Sequence, residues 1–195
     1  MEERWPALDL ASTIRHDGAG GVADDLATVA GLAEWLAAPH GLPTEGVRAD
    51  ERLRLRITGL RAAVRALFAR AVSPGPPSPA DAQRLLPHTE ALARLNAAAA
   101  LEPVTQQLDW PAGGAPAAAA LPSAATPEDR LLAELARATI AFLTGPERER
   151  LRACTAPRCV RYFIKSHGRQ EWCKPSCADR ARAARHYRRR VSAPG

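Results

Sequence analysis

The 195-residue sequence predicts a mainly α-helical protein, with a helical N-terminal domain over residues 1–145 and a small C-terminal module over residues 146–195. Three observations carry this reading. Apolar residues recur at helical spacing in segments separated by Pro- and Gly-rich breaks. Hydrophobic residues make up 46% of the chain, but 42 of them are alanine, which suits a modest core of closely packed helices. Finally, residues 146–195 hold 14 basic and 4 acidic residues and all four cysteines, whereas residues 1–145 hold 13 basic and 17 acidic.

The chain carries a formal net charge of +6 and a sequence pI of 9.8. No apolar run approaches the roughly 18 residues of a membrane span. The opening Glu2, Glu3 and Arg4 lack the basic patch and apolar run of a signal peptide. A cytoplasmic protein without a membrane partner is the expectation.

Trp5, Ala7, Leu8 and Leu10 form an ordered opening segment, read as a short strand, and a turn over residues 17–21 follows it. A first helix is expected from Asp24, a capping residue, with Leu26, Val29, Ala33 and Leu36 on one face until Pro39. The second and longest runs from Ala49 to Val72. Leu53, Ile57, Leu60, Val64, Leu67 and Ala71 recur in steps of four and three, and Arg52, Arg54, Arg56, Arg61 and Arg65 occupy the other faces. The proline-rich stretch 73–79 cannot continue a helix. A third helix is expected from Asp81 to Ala100, with Leu85, Thr89, Leu92, Leu95 and Ala99 inward. Val104, Gln106, Leu108 and Trp110 share one parity, as in a strand or half a hairpin, so the domain holds one or two short β-hairpins. The tract 111–125 reads as loose. Thr126, Pro127, Glu128 and Asp129 make a helix start. Leu132, Leu135, Thr139 and Phe142 form its stripe, which Gly145 and Pro146 end. Nothing in residues 1–145 has the form of a phosphate loop, a dinucleotide fingerprint or a nucleophile elbow, and His16, His40 and His88 sit apart. An enzyme is not expected.

Cys154, Cys159, Cys173 and Cys177 are spaced C-x4-C-x13-C-x3-C. Zinc takes four thiolates in a tetrahedron, most readily from two close pairs that each lie on one turn. The intervening residues suggest a hairpin turning near Gly168, so the module reads as a small treble-clef-like zinc finger holding one structural Zn2+. Two disulfides are the main alternative, disfavoured in a reducing cytosol. The pair spacings of four and three residues differ from that of a redox pair. His167 reads as a loop residue and His186 as part of the basic helix. After Cys177, an Ala/Arg-rich helix places Arg182, Arg185 and Arg189 on one face with Arg188 beside them and Arg180 at its start. Guanidinium groups suit bidentate contacts with phosphate. With Arg161, Lys165 and Arg169, these are the candidate nucleic-acid contacts.

The residues Leu151, Arg152, Ala153 and Cys154, then Cys159, Tyr162 and Phe163, Glu171, Trp172 and Cys173, and Cys177, Ala178, Asp179, Arg180 and Ala181 resemble the CGNR zinc finger. The last cysteine in that family opens a Cys-Gly-Asn-Arg signature. Cys177 and Arg180 keep its ends, while Ala178 and Asp179 replace the usual glycine and asparagine. Trp5, Ala7, Leu8, Asp9, Leu10, Ser12 and Thr13 are similar to the opening motif of the ABATE domain, with Ser12 where asparagine is common. The resemblance spans nearly the whole chain and implies a bacterial, stress-related transcription regulator. The expected function is therefore zinc-finger binding of DNA, with the body binding a signal, a small-molecule effector, a protein partner or another copy of itself. The alternative is an RNA- or ribosome-associated zinc protein, in which Tyr162 and Phe163 stack on bases. The body, with apolar faces of its own, is expected to survive truncation before Leu151.

Overall fold

The computed structural model describes residues 4–19, 21–81, 84–121 and 124–191. Parts of the expected glycine turn (Gly20), third helix (Ala82, Gln83) and loose tract (Pro122, Ser123) lie outside them. The domain is built on helix α3, Glu51–Ala71, which Asp50 caps by accepting the Leu53 N–H at 2.7 Å. Leu53, Ile57, Leu60, Val64 and Leu67 are buried as expected. Helix α4, His88–Ala99, and helix α5, Pro127–Thr144, pack against α3 and each other. Thr126 caps α5 by accepting the Asp129 N–H at 3.1 Å, and Leu132, Leu135, Thr139 and Phe142 are buried along it. Phe142 lies between Trp5 and Phe68, with ring centroids 5.4 and 5.3 Å away.

Several elements depart from the sequence reading. Residues Pro6–Ala11 form a short helix, α1, rather than a strand: Pro6 suits the first helical position, and Ala7, Leu10 and Ala11 are buried together. Asp24 does not start a helix. It ends strand β2, Val22–Asp24, which pairs antiparallel with β1, Ile14–His16. The next helix, α2, runs Val29–Ala37 from a Thr28 cap and buries Leu32, Trp35 and Leu36, leaving Ala33 exposed. Pro87 delays α4 to His88, so Ala91 and Leu95 face inward while Leu85, Thr89 and Leu92 are exposed. The tract read as loose supplies strand β4, Ala117–Ala120, paired with β3, Gln106–Asp109. Leu108 and Trp110 of this second hairpin stand exposed.

Two arginines of α3 add a buried polar layer. Arg61 and Arg65, placed off the apolar stripe by the sequence period, are buried. Arg61 donates both Nη groups to the Asp24 carboxylate, at 2.5 and 2.6 Å, and Nη1 to Thr13 Oγ1 at 2.8 Å. Arg65 donates Nε and Nη2 to Asp81 at 2.7 and 3.1 Å, Nη1 to Ala11 O at 2.6 Å, and Nη2 to Ser78 Oγ and Val160 O at 3.0 and 3.2 Å. Val160 belongs to the C-terminal module. So does Tyr162, whose hydroxyl donates to Asp81 Oδ2 at 2.7 Å and whose ring meets Phe68 at 5.5 Å. Burial, and then the Asp81 charge, push the Tyr162 phenol well above its ordinary range, so it stays a donor. Leu151 and Tyr162 join the same apolar cluster as Ile57, Phe68 and Phe142. Truncation before Leu151 would therefore open this shared core, contrary to the expectation of an independent body.

Two outcomes follow from these pairs. Arg65→Met leaves Asp81 buried and uncompensated and should cost about 3–5 kcal/mol in urea unfolding. A change below about 1 kcal/mol, typical of an exposed pair, would contradict the buried role. Burial opposes the charge of Asp24, but its hydrogen bonds and attraction to Arg61 prevail and hold its pKa below the ordinary 3.8. The stability it contributes is full above that ordinary value and is lost as pH falls through the lower folded value. Asp24→Asn should therefore destabilise at pH 7, with the gap to wild type closing below about pH 4. Parallel denaturation curves across pH would check this.

Candidate metal centre and basic helix

The hairpin that presents the first cysteine pair is not the one expected near Gly168. Strand β5, Leu151–Ala153, pairs with β6, Tyr162–Ile164, and the connecting loop carries Cys154 and Cys159. The Cys154 N–H donates to Arg161 O at 2.9 Å and the Cys159 N–H to Ala156 O at 3.0 Å. Arg158 takes a left-handed φ of 63° to turn the chain between them. Gly168 and His167 lie in a later turn, where the Gln170 N–H donates to His167 O at 3.0 Å. The second pair brackets the start of helix α6, Pro175–Val191, with the Cys177 N–H on Lys174 O at 3.0 Å.

All four sulfurs lie within 4.8 Å of one another. Cys173 Sγ is 3.7 Å from Cys159 Sγ and 3.5 Å from Cys177 Sγ. Tetrahedral thiolates at the usual Zn–S distance stand about 3.8 Å apart. A disulfide needs about 2.05 Å, and the four cysteines are free. Cys154, Cys159 and Cys177 are buried, and Ala156, Phe163 and Trp172 pack around them. Hydrogen bonds from the Cys159 and Cys173 thiols hold the Cys154 thiol well below its ordinary range, while the same cluster pushes Cys173 up. Four thiolates this close need a cation to share a site. The donor set therefore fits one Zn2+, which would be held by Cys154, Cys159, Cys173 and Cys177 and would lock the hairpin loop to the helix.

The N-terminal part of the chain, residues 5–146, matches the family model ABATE, described as "Putative stress-induced transcription regulator". Residues 150–190 match the CGNR zinc finger. The chain belongs to the ABATE family. No curated protein matches it by sequence. In this ABATE protein, Ala178 and Asp179 fall inside α6, where a side chain at the usual glycine position is no obstacle. Arg180 turns back from α6 and donates Nη2 to Cys177 Sγ at 3.0 Å, and this contact raises its pKa further.

The candidate contact residues lie on α6, beside the β5–β6 hairpin and in the Gly168 turn. Arg182, Arg185, Arg188 and Arg189 are exposed on α6, as is His186. Arg182 is ion-paired with Asp179, and the Arg185 guanidinium lies 5.4 Å from the Trp172 ring centroid. Arg161 and Lys165 are half-buried beside the β5–β6 hairpin, and Arg169 is exposed in the Gly168 turn. Lys174, exposed just before α6, was absent from the candidate set. Its signal was present in the sequence: it is the basic residue directly after Cys173. Tyr162 and Phe163, the stacking candidates, are both buried.

Purified ABATE protein should hold one zinc per chain, and Cys173→Ala should abolish it. Ligand protonation should also release the metal as pH falls. Metal analysis along a pH series, with and without the substitution, reads both effects. Full zinc content in the variant would exclude the four-cysteine site.

Proposed function

We propose that the protein is a cytoplasmic, stress-responsive regulator that binds duplex DNA through α6, while the helical domain carries the signal. The observation that carries this reading is the mounting of α6. Its first turn holds Cys177, so zinc fixes the direction of a helix that presents Arg182, Arg185, Arg188 and Arg189 to solvent. Such a helix neutralises DNA phosphates and releases counterions. The family description supports the regulatory class. The proposed action is binding rather than catalysis, because four sulfurs fill a zinc shell that a catalytic site leaves open. Binding to single-stranded RNA by stacking has less support, since Tyr162 and Phe163 are buried and Tyr162 is tied to Asp81. Among the described residues no helix is long and apolar enough to cross a membrane.

The test is affinity for duplex DNA, duplex RNA and single-stranded RNA across a salt series. Arg185→Ala should weaken all duplex DNA sequences alike and flatten the log–log salt slope by about 0.9, the share of one phosphate contact. Tighter, salt-insensitive binding to single-stranded RNA would overturn the DNA reading.

A further inference from the structure

A cleft of about 470 Å³ lies between the β1–β2 hairpin of the domain and the zinc module. Arg15 and His16 line one side, and Arg161, Lys174, Ser176 and Arg180 line the other. Asp17 is the one acid in this lining, and its Oδ1 accepts the Ala19 and Gly21 N–H groups at 2.8 and 2.9 Å. Arg15 is partly neutralised by Asp25, at 2.5 Å. The remaining cations face a metal centre whose four thiolates leave it with net negative charge, and Arg180 already answers Cys177.

Positive charge alone would mark a surface for any polyanion. Hydrogen bonding makes this cleft more particular. The Gly18 N–H donates to His16 Nδ1 at 2.8 Å, which leaves the ring proton on Nε2. His16 Nε2 is buried without a hydrogen-bond partner, and so is Arg180 Nε. Two residues that line one cationic cleft thus each carry an N–H donor without an acceptor, a state that buried polar groups rarely keep. Neither atom is open to solvent, so an anion with several oxygens would reach them as the two side chains turn toward it, and Lys174 and Arg161 would balance its charge.

We infer that this cleft binds a phosphate group, held by His16 Nε2 and Arg180 Nε and neutralised by Lys174 and Arg161. The inference does not depend on DNA binding by α6. The group can belong to a soluble phosphate compound or to a nucleic-acid backbone. Both sources present the same tetrahedral oxyanion.

The experiment titrates inorganic phosphate into the zinc-loaded full-length protein by calorimetry, at ionic strength matched with chloride. Saturable binding is expected, about tenfold weaker in Lys174→Gln because a charge-assisted contact is lost. His16→Phe, which keeps the ring shape but removes the Nε2 donor, should weaken it similarly. Zinc content and helical signal are read on both variants, and Lys174→Gln, at an exposed position, keeps the test open if His16→Phe misfolds. No saturable binding above the chloride control, or unchanged affinity in Lys174→Gln, would overturn the site and leave water as the occupant. Either failure with intact salt-dependent DNA binding would leave the function of α6 standing. Repeating the titration with saturating duplex separates the sources. Abolition of the saturable phosphate site by duplex assigns the cleft to the DNA backbone, and retention of a saturable site at lowered affinity assigns it to a soluble phosphate compound.

Discussion

The buried guanidinium of Arg65 is the joint on which the molecule depends. It reaches the end of α1 at Ala11, the proline-rich loop at Ser78 and Asp81, and the zinc module at Val160. Taking an arginine out of water is costly, and only a full set of acceptors offsets that cost. Asp81 supplies the charge, Ser78 and two carbonyls supply the remaining acceptors, and Tyr162 completes the Asp81 carboxylate. Val160 directly follows Cys159, so this joint sits one residue from the metal. The position of the zinc loop relative to α3 is therefore set by a rigid polar lock as well as by the apolar contacts of Leu151 and Tyr162.

That lock explains what was legible in the sequence and what was not. The apolar period placed α3, and period together with the Thr126–Asp129 start signal placed α5, because each carries a long apolar stripe and a side-chain cap. The four cysteines disclosed the metal site because sulfur ligands on two close turns have few other uses. The burial of Arg61 and Arg65 was not legible, for a physical reason. Composition assigns arginine to solvent, whereas burial depends on partners far along the chain: Asp24 lies 37 residues from Arg61, and Val160 lies 95 from Arg65. For the same reason Asp24 read as a helix cap. A short polar residue before an apolar run fits both roles until its partner is known. The hairpin was misplaced because Gly168 is the more obvious turn residue, yet Arg158 adopts the left-handed conformation between the cysteines. Tertiary and metal constraints there outweigh local preference.

The signature positions of the finger acquire separate physical roles. Cys177 bonds the first turn of α6 to the zinc shell, and Arg180, three residues on, returns to the same sulfur. A positive group at a thiolate offsets part of the charge that four sulfurs impose on the metal. Arg180 is thus first a positioning residue, unlike the arginines further along α6. Asp179 points to solvent and pairs with Arg182, which partly neutralises that arginine while leaving it exposed. Arg185 keeps its charge accessible while Trp172 supports one face of it. Trp172 in turn packs on the cysteine cluster, so the support for Arg185 is anchored to the metal.

These constraints also limit how the helical domain can act on α6. Hinge motion of the zinc module as a body would break the Arg65, Ser78 and Tyr162 contacts together, which makes it an expensive way to carry a signal. The β1–β2 hairpin is differently placed. Its Arg15–Asp25 pair is half exposed, and its tip turns at Gly18 with φ 94°, held by His16 and Asp17. Arg61 fixes its base through Asp24 and Thr13. A phosphate group between this tip and the start of α6 would lie beside both elements without breaking the Arg65 contacts. Its influence on α6 would be mainly electrostatic: negative charge brought beside Arg161, Lys174 and Arg180 lowers the local attraction for a polyanion without moving the helix. Coupling of that kind is reciprocal, so a polyanion on α6 must lower the affinity of the cleft for phosphate by the same factor.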